Sequence, residues 1–328
     1  MPESVIAPPP DLLPRTLSSS GHKNFSRYAW ALLAYNVVVV LWGAFVRASG
    51  SGDGCGNHWP LCNGAVTPNL LMLATIIEFT HRAMTGLDTP LVAVLIWWAF
   101  RAFPRGNAVR RWAVFSGAFL ILEGLIGAAL VKFGLVTTNA SGMRAAVLSI
   151  HLVNTLTLLA CLALTARYAG EDFGMRPKSG RSLWSGLGSL AAVVLLGVSG
   201  VMAALADTLF PTASLASGFL QDFSSSSSLF VRLRALHPIL AAGVGLWLVF
   251  YATSASAQIR RARRLAWAVT AVVGAQIIAG VINVFLLAPV WMQIIHLLLA
   301  DALWITLVLL VAENIGETEA KAPASPRR

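Results

Sequence analysis

The sequence predicts an all-α integral membrane protein whose eight transmembrane helices form two pseudo-symmetric four-helix bundles. Three observations predict it. Hydrophobic residues make up 57% of the 328 positions and charged residues only 12%, where a soluble domain carries roughly a quarter charged. Eight apolar runs each approach or exceed the roughly 20 residues that a helix needs to cross a bilayer core. Finally, motifs in the first four runs recur in the same order in the last four. The net charge of +10 does not point to nucleic acid, because the basic residues sit in short clusters between apolar runs instead of along a phosphate track.

The runs cover approximately 28–47, 75–100, 112–132, 145–167, 184–205, 234–254, 265–287 and 291–312. They divide the chain into a cytoplasmic tail (1–27), a first four-helix half (28–167), a cytoplasmic linker (168–183), a second half (184–312) and a cytoplasmic tail (313–328). With the start inside, 18 Lys and Arg fall on inner segments and about six on outer ones, so the positive-inside bias puts both termini in the cytoplasm. Residues 1–27 hold Pro8 to Pro10, Glu3, Asp11 and a Ser18 to Ser20 cluster, which suits neither a signal nor a transit peptide. The first run therefore reads as an uncleaved span in a bacterial cell membrane. The Ser224 to Ser228 run, between the fifth and sixth spans, reads as a flexible, solvated loop.

The repeat rests on particular residues. Glu123-Gly-Leu-Ile-Gly127 in the third span lines up with Gln276-Ile-Ile-Ala-Gly280 in the seventh, His81 with His237, and His151 with His296. Halves with an even number of spans share one topology, so an axis along the membrane normal would relate them.

His81, His151, His237 and His296 lie on the second, fourth, sixth and eighth spans, each one to two turns from the outer end. Ionisable groups in a span are costly and face a bundle interior or a cavity. One such histidine could be a helix-to-helix hydrogen bond; four at one depth point to ligands. A pair of neutral imidazoles across a four-helix bundle suits the two axial positions of a heme iron better than it suits zinc. Two heme sites follow, one per half, both non-covalent because no Cys-x-x-Cys-His occurs. Gly43, Gly124, Gly127, Gly197, Gly200, Gly243, Gly245 and Gly280 either admit a flat macrocycle or serve close helix packing. His22 and His58 fall outside the spans, His58 with surface exposure expected.

The first outer loop runs from Gly50 to Gly64. Cys55 and Cys62 lie in it on the oxidising side and are expected to form a disulfide, either as a lid fastening or with a redox role. Cys161, deep in the fourth span, reads as an inert core thiol. Glu78 precedes His81 by three residues, so both project from one helix face. An acid in that position suits proton transfer; alternatively it pairs with Arg82 or orients an imidazole. Glu123 and Asp301 are intramembrane acids that need partners, and their roles stay open.

The motifs Gly50-Ser-Gly-Asp-Gly-Cys-Gly56, Trp59-Pro-Leu-Cys-Asn-Gly64 and Glu78-Phe-Thr-His81-Arg82, with the three later helix-borne histidines, resemble the heme A synthase family over nearly the whole chain. The resemblance implies an oxidoreductase of cytochrome oxidase biogenesis that oxidises the C8 methyl group of heme O to a formyl group. It implies His81 and His151 flanking the substrate heme, Glu78 as the acid for turnover, and His237 and His296 as axial ligands of a resident heme b. It also matches Cys55 and Cys62 to the loop disulfide of some members. Where certain members carry a second cysteine pair between the fifth and sixth spans, this chain has serines. Implied partners are a heme O synthase that delivers substrate, an electron donor or acceptor of unknown identity, and the lipid membrane; whether the chain forms a homo-oligomer stays open. Two other readings use the same histidines: a di-heme electron-transfer cytochrome, and a heme carrier built on a parallel repeat.

Overall fold

A bilayer core offers no water to backbone N–H and C=O groups, so a chain this apolar must satisfy them within its own helices. The computed structural model describes residues 19–170, 180–258 and 262–315. Among them the helices are α1 (Ser19–Ala48), α2 (Leu73–Ala102), α3 (Ala108–Lys132), α4 (Gly142–Ala169), α5 (Arg181–Leu209), α6 (Leu215–Phe223), α7 (Leu229–Arg234), α8 (Leu236–Gln258), α9 (Ala262–Phe285) and α10 (Val290–Ile315). Eight spans are long and apolar enough to cross a membrane, α7 and α8 together making the sixth. The protein is a multi-pass membrane protein.

The helices run past the apolar runs at most ends. α1 begins at Ser19, ahead of the tail boundary at residue 27, because polar residues at the edge of a run extend a helix they would not start. His22 thus lies inside the first helix, stacked on Phe103 with ring centres 4.8 Å apart, and not in a tail. The linker over 171–179 lies outside the described residues. Local signals set several ends: the Asn107 side chain accepts from the Val109 N–H and the Ser141 side chain from the Arg144 N–H, occupying N–H groups that a helix start leaves free. The serine run is a loop, as expected, and its two ends cap short helices on either side. Ser224 closes α6, and the Ser228 side chain caps α7 by accepting from the Val231 N–H.

Each half is a ring of four spans with the same connectivity, α1-α2-α3-α4 and α5-α8-α9-α10, every neighbour in contact with the next. This bears out the two pseudo-symmetric bundles. α4 and α10, the last span of each ring, are the most buried and form the seam between halves. There Trp304 Nε1 donates to the Leu156 carbonyl at 2.6 Å, and Arg167 pairs with Glu313. At the other end of the seam, Arg47 of α1 donates to the Ala204 carbonyl (3.0 Å), Thr208 Oγ1 (2.8 Å) and Gln293 Oε1 (3.1 Å).

The main apolar core is not spread evenly along the spans. It gathers Phe25 to Leu33, Val92 to Phe103, Leu156 to Ala169, Leu248 to Ala255 and Leu303 to Val311, all toward the end that carries Arg105, Arg110 and Arg111. The end with the Cys55 loop, where the four histidines sit, lies outside that cluster. Packing therefore holds one end of both bundles rigidly, while polar contacts hold the other.

Hydrogen bonds to a charged group contribute about 1.5–3 kcal/mol, and unpaired buried acceptors add a cost of their own. Arg47→Leu is expected to lower the unfolding free energy by about 2–3 kcal/mol, seen as a lower thermal midpoint of the purified protein. Arg232→Leu, at an exposed position, should leave the midpoint unchanged.

Candidate functional site

The loop between α1 and α2 is folded over the first half by three ties. Gly54 lies so close to the start of α2 that a Cβ on it would stand 2.4 Å from the Ala74 carbonyl oxygen. Only glycine allows that approach. Thr75 Oγ1 donates to the Gly54 carbonyl at 2.7 Å, and the Cys55 N–H donates to Glu78 Oε2 at 2.8 Å. Cys55 and Cys62 form the expected disulfide, both nearly fully buried.

Glu78 is 4% exposed, and its second oxygen accepts from Arg82 Nε at 3.1 Å and Nη2 at 2.5 Å. Arg82 Nη1 donates to the carbonyls of His58 and Leu61 across the loop. Glu78 and Arg82 therefore form one anchor for both arms of the disulfide loop. The pairing with Arg82 is one of the two alternatives left open by the sequence. His58 is exposed, as expected.

The four histidines stand six to nine positions from the loop-side ends of their spans, which is about 9–14 Å of axial rise. His237 and His296 face each other edge to face, ring centres 6.4 Å apart. Two imidazoles that bind one metal through a nitrogen each, at about 2.0–2.1 Å, have ring centres roughly 6.3 Å apart when the metal lies between them. The observed spacing matches. His81 on α2 and His151 on α4 hold the equivalent positions in the first half. Among the described residues, no group of three or more His, Cys, Asp or Glu is placed to hold a metal ion.

Glycines fit the rings closely. A Cβ on Gly43 would stand 2.9 Å from His81 Cε1, on Gly200 3.1 Å from His237 Cε1, and on Gly280 3.2 Å from His296 Cε1. Gly197 and Gly245 instead meet apolar side chains, and Gly124, Gly127 and Gly243 have nothing that close. Ser199 Oγ donates to the Leu196 carbonyl at 2.7 Å and lies 2.9 Å from His237 Nδ1. Its proton is thus committed, so Nδ1 must donate to it, and Nε2 is left as a lone-pair nitrogen free for a metal.

The repeat is visible in side-chain contacts. Glu123 lies against His151, with Oε2 3.5 Å from Nδ1, and Gln276 lies against His296, with its amide nitrogen 3.2 Å from Nε2. Ser199, Asn154 and Thr155 were not singled out from the sequence. Their signal was weak: ordinary polar residues, two of them one turn beyond a helix-borne histidine. Asp301 is buried with Oδ2 unpartnered, and Cys161 is a buried free thiol.

The COX15-CtaA family model, described as cytochrome oxidase assembly protein, matches residues 26–308. The chain belongs to the COX15-CtaA family. It is 47% identical over 292 residues, 88% of this chain and 48% of the relative, to a protein from Thermus thermophilus named protoheme IX farnesyltransferase. It is 32% identical over 163 residues, 49% of this chain and 52% of the relative, to the heme A synthase of Alkalihalophilus pseudofirmus. With the heme A synthase of Geobacillus kaustophilus the identity is 43% over 107 residues, 33% of this chain and 34% of the relative. The chain spans about half the length or less of these relatives. The family match agrees with the resemblance carried by the loop and the helix-borne histidines.

A methyl group at position 54 cannot fit against the Ala74 backbone. Gly54→Ala is expected to lift the loop from α2, breaking the Thr75 and Cys55 hydrogen bonds. Limited proteolysis should then cut within 50–70 several-fold faster than in the unaltered protein. Equal rates would show that the contact does not hold the loop.

Proposed function

We propose that the chain is a heme A synthase. It holds heme O as substrate between His81 and His151, oxidises the C8 methyl group to a formyl group, and relays electrons through a heme b bound by His237 and His296. The observation that carries this reading is the imidazole pair with ring centres 6.4 Å apart, repeated in position by a second pair under the disulfide loop. Membership of a cytochrome oxidase assembly family and similarity to proteins named heme A synthase support it.

The iron of a bound heme supplies one-electron chemistry; the chain's own residues supply placement. Ser199 fixes the His237 tautomer. Gly43, Gly200 and Gly280 let three rings lie against neighbouring backbones. Glu78, one turn before His81, is the acid proposed for turnover, and its bonds to Cys55 N–H and Arg82 tie it to the loop above the first pair. That loop excludes water from the reacting edge of the substrate.

The farnesyl transfer named for the Thermus relative belongs to a protein of which the aligned region is 48%. We assign that activity to the part with no counterpart here, and read it as the step that supplies the prenylated substrate. A heme O synthase is therefore the proposed partner. The disulfide loop faces the oxidising side of a cell membrane, the basic clusters face the cytoplasm, and residues 28–167 and 184–312 are the substrate and heme b halves.

One observation suits the di-heme electron-transfer cytochrome instead: both Glu78 oxygens are engaged by the loop and Arg82, as a purely structural acid would be. Co-expression with a heme O source, followed by extraction and chromatography of the non-covalent hemes, separates the two. The heme A synthase reading expects heme A from the unaltered protein, its loss in Glu78→Ala with heme b retained, and loss of heme b in His237→Ala or His296→Ala. A protein that binds two hemes yet forms no heme A is the cytochrome. Heme A at the normal rate from Glu78→Ala removes that residue from the chemistry.

A further inference from the structure

The two halves differ at one pair of equivalent positions. Glu123 of α3 lies against His151 and Gln276 of α9 against His296, but on opposite ring nitrogens: a carboxyl group 3.5 Å from Nδ1 in the first half, and a neutral amide 3.2 Å from Nε2 in the second, where Nδ1 has no partner. The surroundings differ in the same sense. Asn154 Nδ2 donates to Glu123 Oε2 at 2.5 Å, and Thr155 Oγ1 donates to Glu123 Oε1. Asn154 and Thr155 are 4% and 6% exposed and follow His151 by three and four residues, on the helix face that the ring shares. The positions that follow His296 by the same spacing are Leu299 and Ala300, which can hold no carboxyl group.

The rings of the first half also sit differently. His81 packs on Gly43, and its Nδ1 has no hydrogen-bond partner. His151 has no glycine against it: Gly127, the counterpart of Gly280, meets nothing within 4 Å. Its Nδ1 also makes no hydrogen bond, but it has the clamped Glu123 3.5 Å away, within ion-pair distance, where His81 Nδ1 has no acid beside it. A carboxylate at the far nitrogen of an imidazole fixes the ring's tautomer and orientation and raises its basicity as a ligand. Glu78 and the disulfide loop lie on the His81 side of the pair, since Glu78 shares a helix face with His81.

We propose that Glu123, clamped by Asn154 and Thr155, is a positioning residue that makes His151 the retained, strongly donating ligand of the substrate heme, leaving His81 as the ligand that yields. This rests on the reading that the first pair binds heme O, and it deepens that reading by giving the pair two faces. The His151 face anchors. The His81 face, beside Glu78 and beneath the loop, is the one that yields. Gln276 gives the second half no such anchor, in keeping with a heme that keeps both ligands and only passes electrons.

The test uses the full chain purified with heme O supplied, the heme b signal of the second half serving as the internal check of folding. His81→Ala should retain heme O several-fold better than His151→Ala. In the His81→Ala background, resonance Raman of the ferrous protein should show an iron–histidine stretch that moves to lower frequency on Glu123→Gln and by less on Thr155→Val. The reduction potential of the heme O site should rise in Glu123→Gln alone, with heme b unmoved. An unchanged stretch and potential in both variants overturns the proposal while the binding reading stands. Better retention by His151→Ala than by His81→Ala reverses the assignment of faces. If neither histidine variant loses heme O, the binding reading itself fails, and this proposal fails with it.

Discussion

Edge-to-face imidazoles 6.4 Å apart between membrane-crossing helices are the arrangement on which the rest depends. Ionisable side chains at that depth are expensive, and a ring holds its place only if its neighbours leave room for it and offer it polar company. The protein provides both by local means: a glycine on the adjacent helix for three rings, and a hydroxyl or a carboxyl group near Nδ1 for two. The apolar core, gathered toward the opposite end of both bundles, supplies the rigid base from which the rings project. Arg47, one turn past Gly43 and bonded to Gln293 one turn before His296, ties the two sites together above that base.

The two four-span rings are similar frames, and the proposed function rests on the differences between them. Only the first has a disulfide loop, fastened by Gly54, Thr75, Glu78 and Arg82. Only it has a clamped carboxyl group against a histidine. The second has neutral groups beside its rings, Ser199 at Nδ1 of His237 and Gln276 at Nε2 of His296. The contrast suits the proposed division into chemistry in one half and electron relay in the other, and it is made by a handful of side chains on rings of the same connectivity.

Much of the fold was legible in the sequence because the lipid environment simplifies the code. Apolar length alone located all eight spans, and the spacing of His81, His151, His237 and His296 placed them at one depth, six to nine positions from the loop-side ends of their spans. The disulfide was legible from two cysteines in a glycine-rich loop. Helix ends were less so: the polar residues from Ser19 to Arg27 carry no hydropathy signal, yet they continue α1 and place His22 against Phe103. The α6 and α7 helices escaped because a short amphipathic turn between serines looks like a loop until its caps are seen. The partners of Glu123 and the hydroxyl behind His237 are contacts between helices, and one sequence gives the residues of such contacts without their pairing.

The central claim, two heme sites each gripped by its own histidine pair, is tested most directly by stoichiometry. Purified protein made with substrate supplied should carry two hemes per chain, each with the near-infrared magnetic circular dichroism of bis-histidine iron at rest. One should disappear with each pair of histidines removed. A protein that carries a single heme, or that keeps both after either pair is replaced, would contradict the account.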